Sequence, residues 1–374
     1  MPIKILLVCP KSPLKVVDGV TAALNSLYKL LTTVYDRITV LIISDQNIIC
    51  CYNSEEPSII TRTNLNEFDF KPYNLIISGP LLTSKKIIEL KIKNLIHVSQ
   101  LSDCYTYVLW RNFTLGIKFR NLDIKSLLKI PYYYFIEKKI ESKSRLILLQ
   151  TEKDKQVFNR LFFSKKGIVV SNIPNMISHN YKSEKKSGIG WCASFEGTYL
   201  KLAFWFSKHI LIPFLKNNND CKIYFLGKNS IKFVRQISKI FPCCKSNFVA
   251  EPYIEDVTLF YQSRVMVISP VYKGYGLINK TVEAMACKTI VLGDKAAFNG
   301  IKGCISGTNC MIAKNKNDFV YLMNLVWNDF SEERIKTIEN NAHNLIKYQF
   351  EKSKFVSQLK SSLNRIADNQ QMFF

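Results

Sequence analysis

Short apolar runs alternate with helix-length segments along most of the chain. Residues 3–9, 38–43, 75–78, 95–98, 146–150 and 167–171 are runs of four to seven mostly apolar positions. That is the pattern of strands covered on both faces. Between the first two runs, residues 20–33 carry apolar side chains at helical spacing. Residues 151–162 read as a helix, with Thr151 placed to cap it. The polar, charged text at 181–187 interrupts the alternation and reads as a linker. A second series follows, with strands at 189–193, 222–226, 247–250, 266–269 and 289–292. Helices are predicted at about 200–215, 231–240, 254–263, 318–327 and 332–348, with a basic one at 353–365. Strand–helix alternation of this kind predicts doubly wound parallel sheets, here two of them. The domains expected are residues 1–180 and 188–350, with 351–374 as a terminal helical segment.

The chemistry concentrates in residues 266–294. A buried strand leads to a loop with Gly274 and Gly276, then a helix start, then another buried strand. Lys280 and Glu283 are three residues apart, so a helix puts both on one face near its first turn. A helix N-terminus attracts phosphate through free N–H groups and its dipole. Glycines let backbone approach a ligand closely. A lysine can neutralise a diphosphate, and a carboxylate can accept hydrogen bonds from ribose hydroxyls. These are the parts of a site for a nucleotide-diphosphate sugar. A plain strand–loop–helix–strand unit of any α/β protein has the same outline.

Composition narrows the classes. The 374 residues suit two domains, and 47% hydrophobic with 22% charged residues is ordinary globular usage. The net charge of +23, from 52 Lys and Arg against 29 Asp and Glu, favours anionic partners. No apolar run approaches the roughly 18 residues of a spanning helix. The first apolar run is too short for a signal-peptide core, so the chain is expected in the cytoplasm. Eleven cysteines without a C-x-x-C pair, and four histidines without H-x-x-x-H spacing, give no zinc pattern. The cysteines read as core residues or free thiols.

Glu283-Ala284-Met285-Ala286-Cys287 resembles the donor-site motif E-G-F-G-L-P-x-x-E-A-M-A-C-G-x-P-V-V of the retaining family 4 glycosyltransferases. Tyr275 stands where that motif has its first glutamate, and Lys288 and Ile290 replace its later Gly and Pro. Gly276-Leu277-Ile278-Asn279-Lys280 resembles the G-I-x-N-K variant of a bacterial polysaccharide subgroup. Residues 148–158 resemble the family's V-S-E-x-D piece, and Ile173-Pro174-Asn175 its I-P-N-G, with Met176 for glycine. The stretch from Tyr261 and Ser263 through 265–270 also matches the text before the family motif.

The resemblance implies the GT-B fold, an α/β architecture of two Rossmann-like, doubly wound parallel-sheet domains facing a cleft. It makes 1–180 the acceptor-binding domain and 188–350 the nucleotide-sugar-binding domain, with 351–374 packing back on the first. It implies hexosyl transfer with retention, from a nucleotide-diphosphate sugar to a hydroxyl of a glycan acceptor. No cofactor or metal is implied, and the D-x-D metal signature is absent. Glu283 would hold the ribose, and Lys280 would neutralise the diphosphate with Gly274, Gly276 and Asn279 beside it. Tyr275 bears on the contact to the sugar itself. Gly19, after Asp18, lies in the loop following the first strand and reads as a donor–acceptor contact or a simple turn. Gly227-Lys228 reads as a phosphate contact or a turn. His97 and Asp103 are placed to line the acceptor side as candidate catalytic groups, or to be structural.

Residues 105–145 mix Trp, Tyr and Phe with many Lys and Arg. This suits peripheral contact with an anionic membrane, and a lipid-linked acceptor of surface polysaccharide synthesis at its inner face. A buried aromatic helix with a basic outer face gives the same text. Three rivals stand beside transfer: a nucleotide-sugar epimerase, a non-catalytic member of the fold family, and a nucleic-acid-binding protein. No recognised nucleic-acid module supports the last.

Overall fold

The computed structural model describes residues 3–16, 18–43, 48–56, 61–92, 95–118, 124–174, 186–251, 254, 256–271 and 276–371. The chain divides into two compact units. One comprises Met1–Ile173 with Glu351–Phe374, the other Pro174–Phe350.

The first unit is built on strands β1 (Ile5–Cys9), β2 (Ile38–Ile43), β3 (Ile48–Asn53), β4 (Thr61–Asn64), β5 (Leu75–Ser78), β6 (Ile96–Ser102), β7 (Leu146–Leu149) and β8 (Gly167–Val169). Their order is β4-β3-β2-β1-β5-β6-β7-β8. From β2 to β8 every pairing is parallel. All five side chains of β1 are buried, as a central strand covered on both faces requires. The β3–β4 edge is antiparallel, which the apolar pattern does not predict. β4 is an exposed, polar edge strand, so it carries no apolar run to read.

Helices α1 (Gly19–Val34), α2 (Leu81–Glu89), α3 (Tyr105–Lys118), α4 (Ile124–Lys143) and α5 (Glu152–Phe162) complete this unit with the last helix of the chain. α1 begins at a capping box: the Asp18 carboxylate accepts from the Thr21 N–H, and the Thr21 hydroxyl oxygen accepts from the Asp18 N–H. Thr151 caps α5, its hydroxyl accepting from the Asp154 N–H. The terminal helix α13 (Lys352–Gln371) packs on α1, burying Leu359 and Leu363. The Tyr35 hydroxyl donates to Asn364 Oδ1 across 3.2 Å.

The second unit has six strands, all parallel: β9 (Ile189–Cys192), β10 (Ile223–Leu226), β11 (Phe248–Glu251), β12 (Met266–Ser269), β13 (Ile290–Asp294) and β14 (Met311–Ala313). Their order is β11-β10-β9-β12-β13-β14. The helices are α6 (Gly197–Phe206), α7 (Ile212–Leu215), α8 (Ser230–Ile240), α9 (Val257–Gln262), α10 (Asn279–Ala286), α11 (Lys316–Asn324) and α12 (Glu332–Gln349). An aromatic core fills one face. Phe195 stacks on Phe233 at 4.8 Å, and Trp191 meets Phe206 edge-on at 5.1 Å. The helix expected over 200–215 is interrupted by a π-helical turn at Ser207–Leu211. Pro213, just beyond it, has no N–H for the carbonyl of His209, so the regular ladder cannot run through.

Candidate nucleotide-binding site

In the second sheet β9 and β12 are neighbours, although β10 and β11 come between them in sequence. The chain turns to one side of β9 for β10 and β11, and to the other for β12 to β14. Open α/β sheets bind ligands beyond the carboxyl ends of the strands at such a reversal. Helices α6, α8 and α10 start at this edge after β9, β10 and β12, the strands at and beside the reversal. None carries a side-chain cap; the capping positions are Glu196, Asn229 and Ile278. In the same unit α9, α11 and α12 are capped by Asp256, Asn315 and Ser331. A helix start without a side-chain cap keeps N–H donors and a positive dipole end for an anion. Sequence reading did not find this convergence, because it depends on which strands become neighbours.

α10 brings the two candidate side chains to that edge. Gly276 has φ 59°, in the left-handed region that favours glycine, and turns the chain into the helix. The hydroxyls of Ser269 and Thr281, 2.9 Å apart, tie the end of β12 to the first turn of α10. Glu283 Oε2 accepts a hydrogen bond of 3.3 Å from the hydroxyl of Tyr261, which is fully buried. Tyr261 is held in turn by the Thr289 hydroxyl, which donates to its carbonyl at 2.8 Å. Burial raises the Glu283 pKa, against the pull of the Lys280 charge and the Tyr261 hydroxyl. The Cys192 thiol, at the end of β9, faces the same charges. Burial pushes its pKa up, Lys280 draws it down, and Glu283 raises it again. Cys192, Tyr261, Lys280 and Glu283 therefore form one cluster at the β9–β12 reversal. Asn279 is the first residue of α10. Asp294, at the end of β13, accepts from the N–H groups of Val271, Ala296 and Ala297, fixing the chain as it leaves β12.

Gly227 and Lys228 follow β10 at the same edge. A Cβ on Gly227, which has φ 121°, would lie 2.3 Å from the carbonyl oxygen of Ala193, so only glycine fits. The adjoining chains are joined by the Phe195 N–H donating to the Lys228 carbonyl at 2.9 Å. The Lys228 ammonium is paired with Glu196 Oε2 at 2.9 Å, and Glu196 Oε1 accepts from the Ser194 hydroxyl at 3.1 Å. To reach a phosphate, Lys228 must exchange this exposed pair.

Gly274 and Tyr275 lie outside the described residues, as do Asn175, Met176 and positions 181–185 of the expected linker.

The remaining candidates belong to the first unit. Gly19 opens α1 beyond β1, and a Cβ there would meet nothing within 4 Å. Its neighbour Asp18 is ion-paired with Lys11 at 2.7 Å. His97 is the second residue of β6, inside the sheet rather than at its end. Its Nε2 lies 2.6 Å from the Ser78 hydroxyl and its Nδ1 3.0 Å from that of Ser144. Burial lowers its pKa to about 4, so the ring is neutral with both nitrogens engaged. Asp103 follows β6, its pKa raised to about 7 by burial and then by the charges of Asp154 and Glu137. Its Oδ1 is buried without a hydrogen-bond partner among the described residues. Glu137, on α4, accepts from the N–H groups of Tyr105 and Thr106 at 2.7 and 3.0 Å, capping α3. The structure therefore gathers Gly227, Lys228, Gly276, Asn279, Lys280 and Glu283 at one sheet edge. Gly19, His97 and Asp103 lie in the other unit.

Solved structures share this architecture. Sucrose-phosphate synthase from Thermosynechococcus elongatus superposes with a TM-score of 0.72 at 11% identity, covering 97% of this chain and 99% of its own. HepE from Anabaena, in complex with UDP and glucose, gives 0.68 at 15% identity, covering 97% and 99%. A glycosyltransferase from Rickettsia africae gives 0.63 at 11% identity, covering 99% of each. The fold is GT-B: α/β, with two Rossmann-like units. No protein-family model matches the sequence, and no curated protein matches it.

Proposed function

We propose that the protein is a glycosyltransferase that takes a sugar from a nucleotide-diphosphate sugar held at the β9–β12 reversal. The convergence of three helix starts without side-chain caps with Lys280 and Glu283 carries this reading. The fold shared with HepE, solved with UDP and glucose, supports it and favours a UDP-sugar. In the proposed complex the diphosphate lies against the starts of α6, α8 and α10, and Lys280 and Lys228 offset its charge. Glu283, oriented by Tyr261, accepts hydrogen bonds from the ribose hydroxyls. Departure of the sugar leaves charge on the diphosphate, which these fixed donors stabilise, so no metal is needed. The anomeric configuration is retained. The first unit binds the acceptor, a glycan hydroxyl, with Gly19 and Asp103 beyond its strand ends; His97 supports the sheet behind them. The acceptor is lipid-linked and belongs to surface polysaccharide synthesis at the inner face of a membrane.

The test is UDP release from UDP-sugars with and without added glycan acceptors, for the whole protein and for Glu283→Ala. Acceptor-dependent release that falls at least about tenfold in the variant supports the proposal. Isomerised donor without acceptor would make the protein an epimerase, and equal turnover by both proteins would refute the site.

A further inference from the structure

Helix α4 turns an apolar stripe outward. Its inner face buries Ser126, Ile136, Glu137 and Ile140 against the unit, and Glu137 fixes the start of α3. The opposite face carries Ile124, Leu128, Tyr132 and Phe135, spaced four, four and three residues apart and so aligned along one side. Leu128 is 74% exposed and Phe135 69%. The outer face of a surface helix ordinarily bears polar side chains. Here the polar residues are basic. Lys125 and Lys129 flank the stripe, Lys138 and Lys143 follow it, Lys139 is ion-paired with Glu89 of α2 at 3.2 Å, and no carboxylate occurs between Ile124 and Ile136. From α2, the Lys85 ammonium lies 3.3 Å from the Tyr132 hydroxyl.

We infer that this face of α4 docks on an anionic phospholipid bilayer, lying in the interface with its stripe among the upper acyl chains and its lysines at the headgroups. An exposed apolar row edged by cations is the composition such a helix needs. Its aromatic members suit the headgroup boundary. No helix among the described residues is long and apolar enough to cross a membrane, so the contact is lateral. A second copy of the chain is a poorer occupant, because pairing two stripes would bring their lysines together. This places the membrane contact on one helix face, since Tyr133 and Tyr134 of the same aromatic run are partly buried. The inference does not depend on donor binding.

Vesicle flotation of the whole protein tests it. Vesicles of phosphatidylcholine alone are compared with vesicles containing about one-third phosphatidylglycerol. Binding is expected to the anionic vesicles only. Leu128→Ser with Phe135→Ser should lower the partition coefficient at least about tenfold. Lys125→Ala with Lys129→Ala should lower it severalfold and flatten its salt dependence. Unchanged circular dichroism and unchanged UDP affinity in both variants separate lost docking from lost folding and from the donor site. Absence of binding to anionic vesicles, or binding indifferent to both pairs, would overturn the inference. So would a wild-type dimer that the serine variant converts to monomer.

Discussion

Glu283 holds its place through one buried partner. The Tyr261 hydroxyl reaches it from α9, and Lys280 offsets its charge from one turn away on the same helix. Hydrogen bonds to a charged group contribute about 1.5–3 kcal/mol each, so Glu283→Gln should weaken UDP-sugar binding roughly 10- to 100-fold by calorimetry. Tyr261→Phe should weaken it less, since only orientation is lost. Asp103 makes a different prediction. Its folded pKa of about 7 stands above the ordinary 3.8, so the folded protein retains a proton that the unfolded chain releases. That contribution is present below about pH 4 and disappears as pH rises through about 7. Asp103→Asn should therefore raise the melting temperature by roughly a few degrees at pH 8, with the gain shrinking as pH falls and vanishing only below about pH 4. His97 titrates in the opposite sense, so the comparison must be between the two proteins at each pH. The placing of Lys280 and Glu283 on one helix was legible in the sequence because their spacing is local. The Tyr261 contact and the Lys228–Glu196 pair were not, because each joins segments that only the folded sheet makes adjacent.

Among the elements, the parallel strands were the most legible, since strands buried on both faces are continuous apolar runs. Residues 38–43, 75–78 and 266–269 coincide with β2, β5 and β12. The edge strand β4 and the π-helical turn before Pro213 were not, because neither leaves a periodic apolar trace. The starts of α6, α8 and α10 supply the anion-binding potential. If the diphosphate is what they hold, UDP should raise the melting temperature of the second unit while uridine at equal concentration leaves it nearly unchanged. Equal effects would assign binding to the base and ribose. The β10–α8 turn has its own constraint. Gly227→Ala pushes a Cβ into the Ala193 carbonyl at an unfavourable φ and should cost at least about 1–3 kcal/mol in denaturant unfolding.

At the scale of the molecule, two α/β units were readable from the repeated strand–helix alternation. The division by compactness falls at Ile173 and Pro174, ahead of the polar 181–187 text, and the chain returns to the first unit at Glu351. That return follows from tertiary contact: α13 buries Leu359 and Leu363 and bonds to Tyr35. Truncation after Phe350 should lower the stability of the first unit and leave the second intact, as separate transitions in calorimetry would record. The site claim needs a readout with residue resolution. Hydrogen exchange of the whole protein with and without UDP-glucose provides it. The account predicts protection at residues 192–199, 226–230 and 276–283, the ends of β9 and β10 and the start of α10. Protection elsewhere, with these segments exchanging as in the free protein, would contradict it.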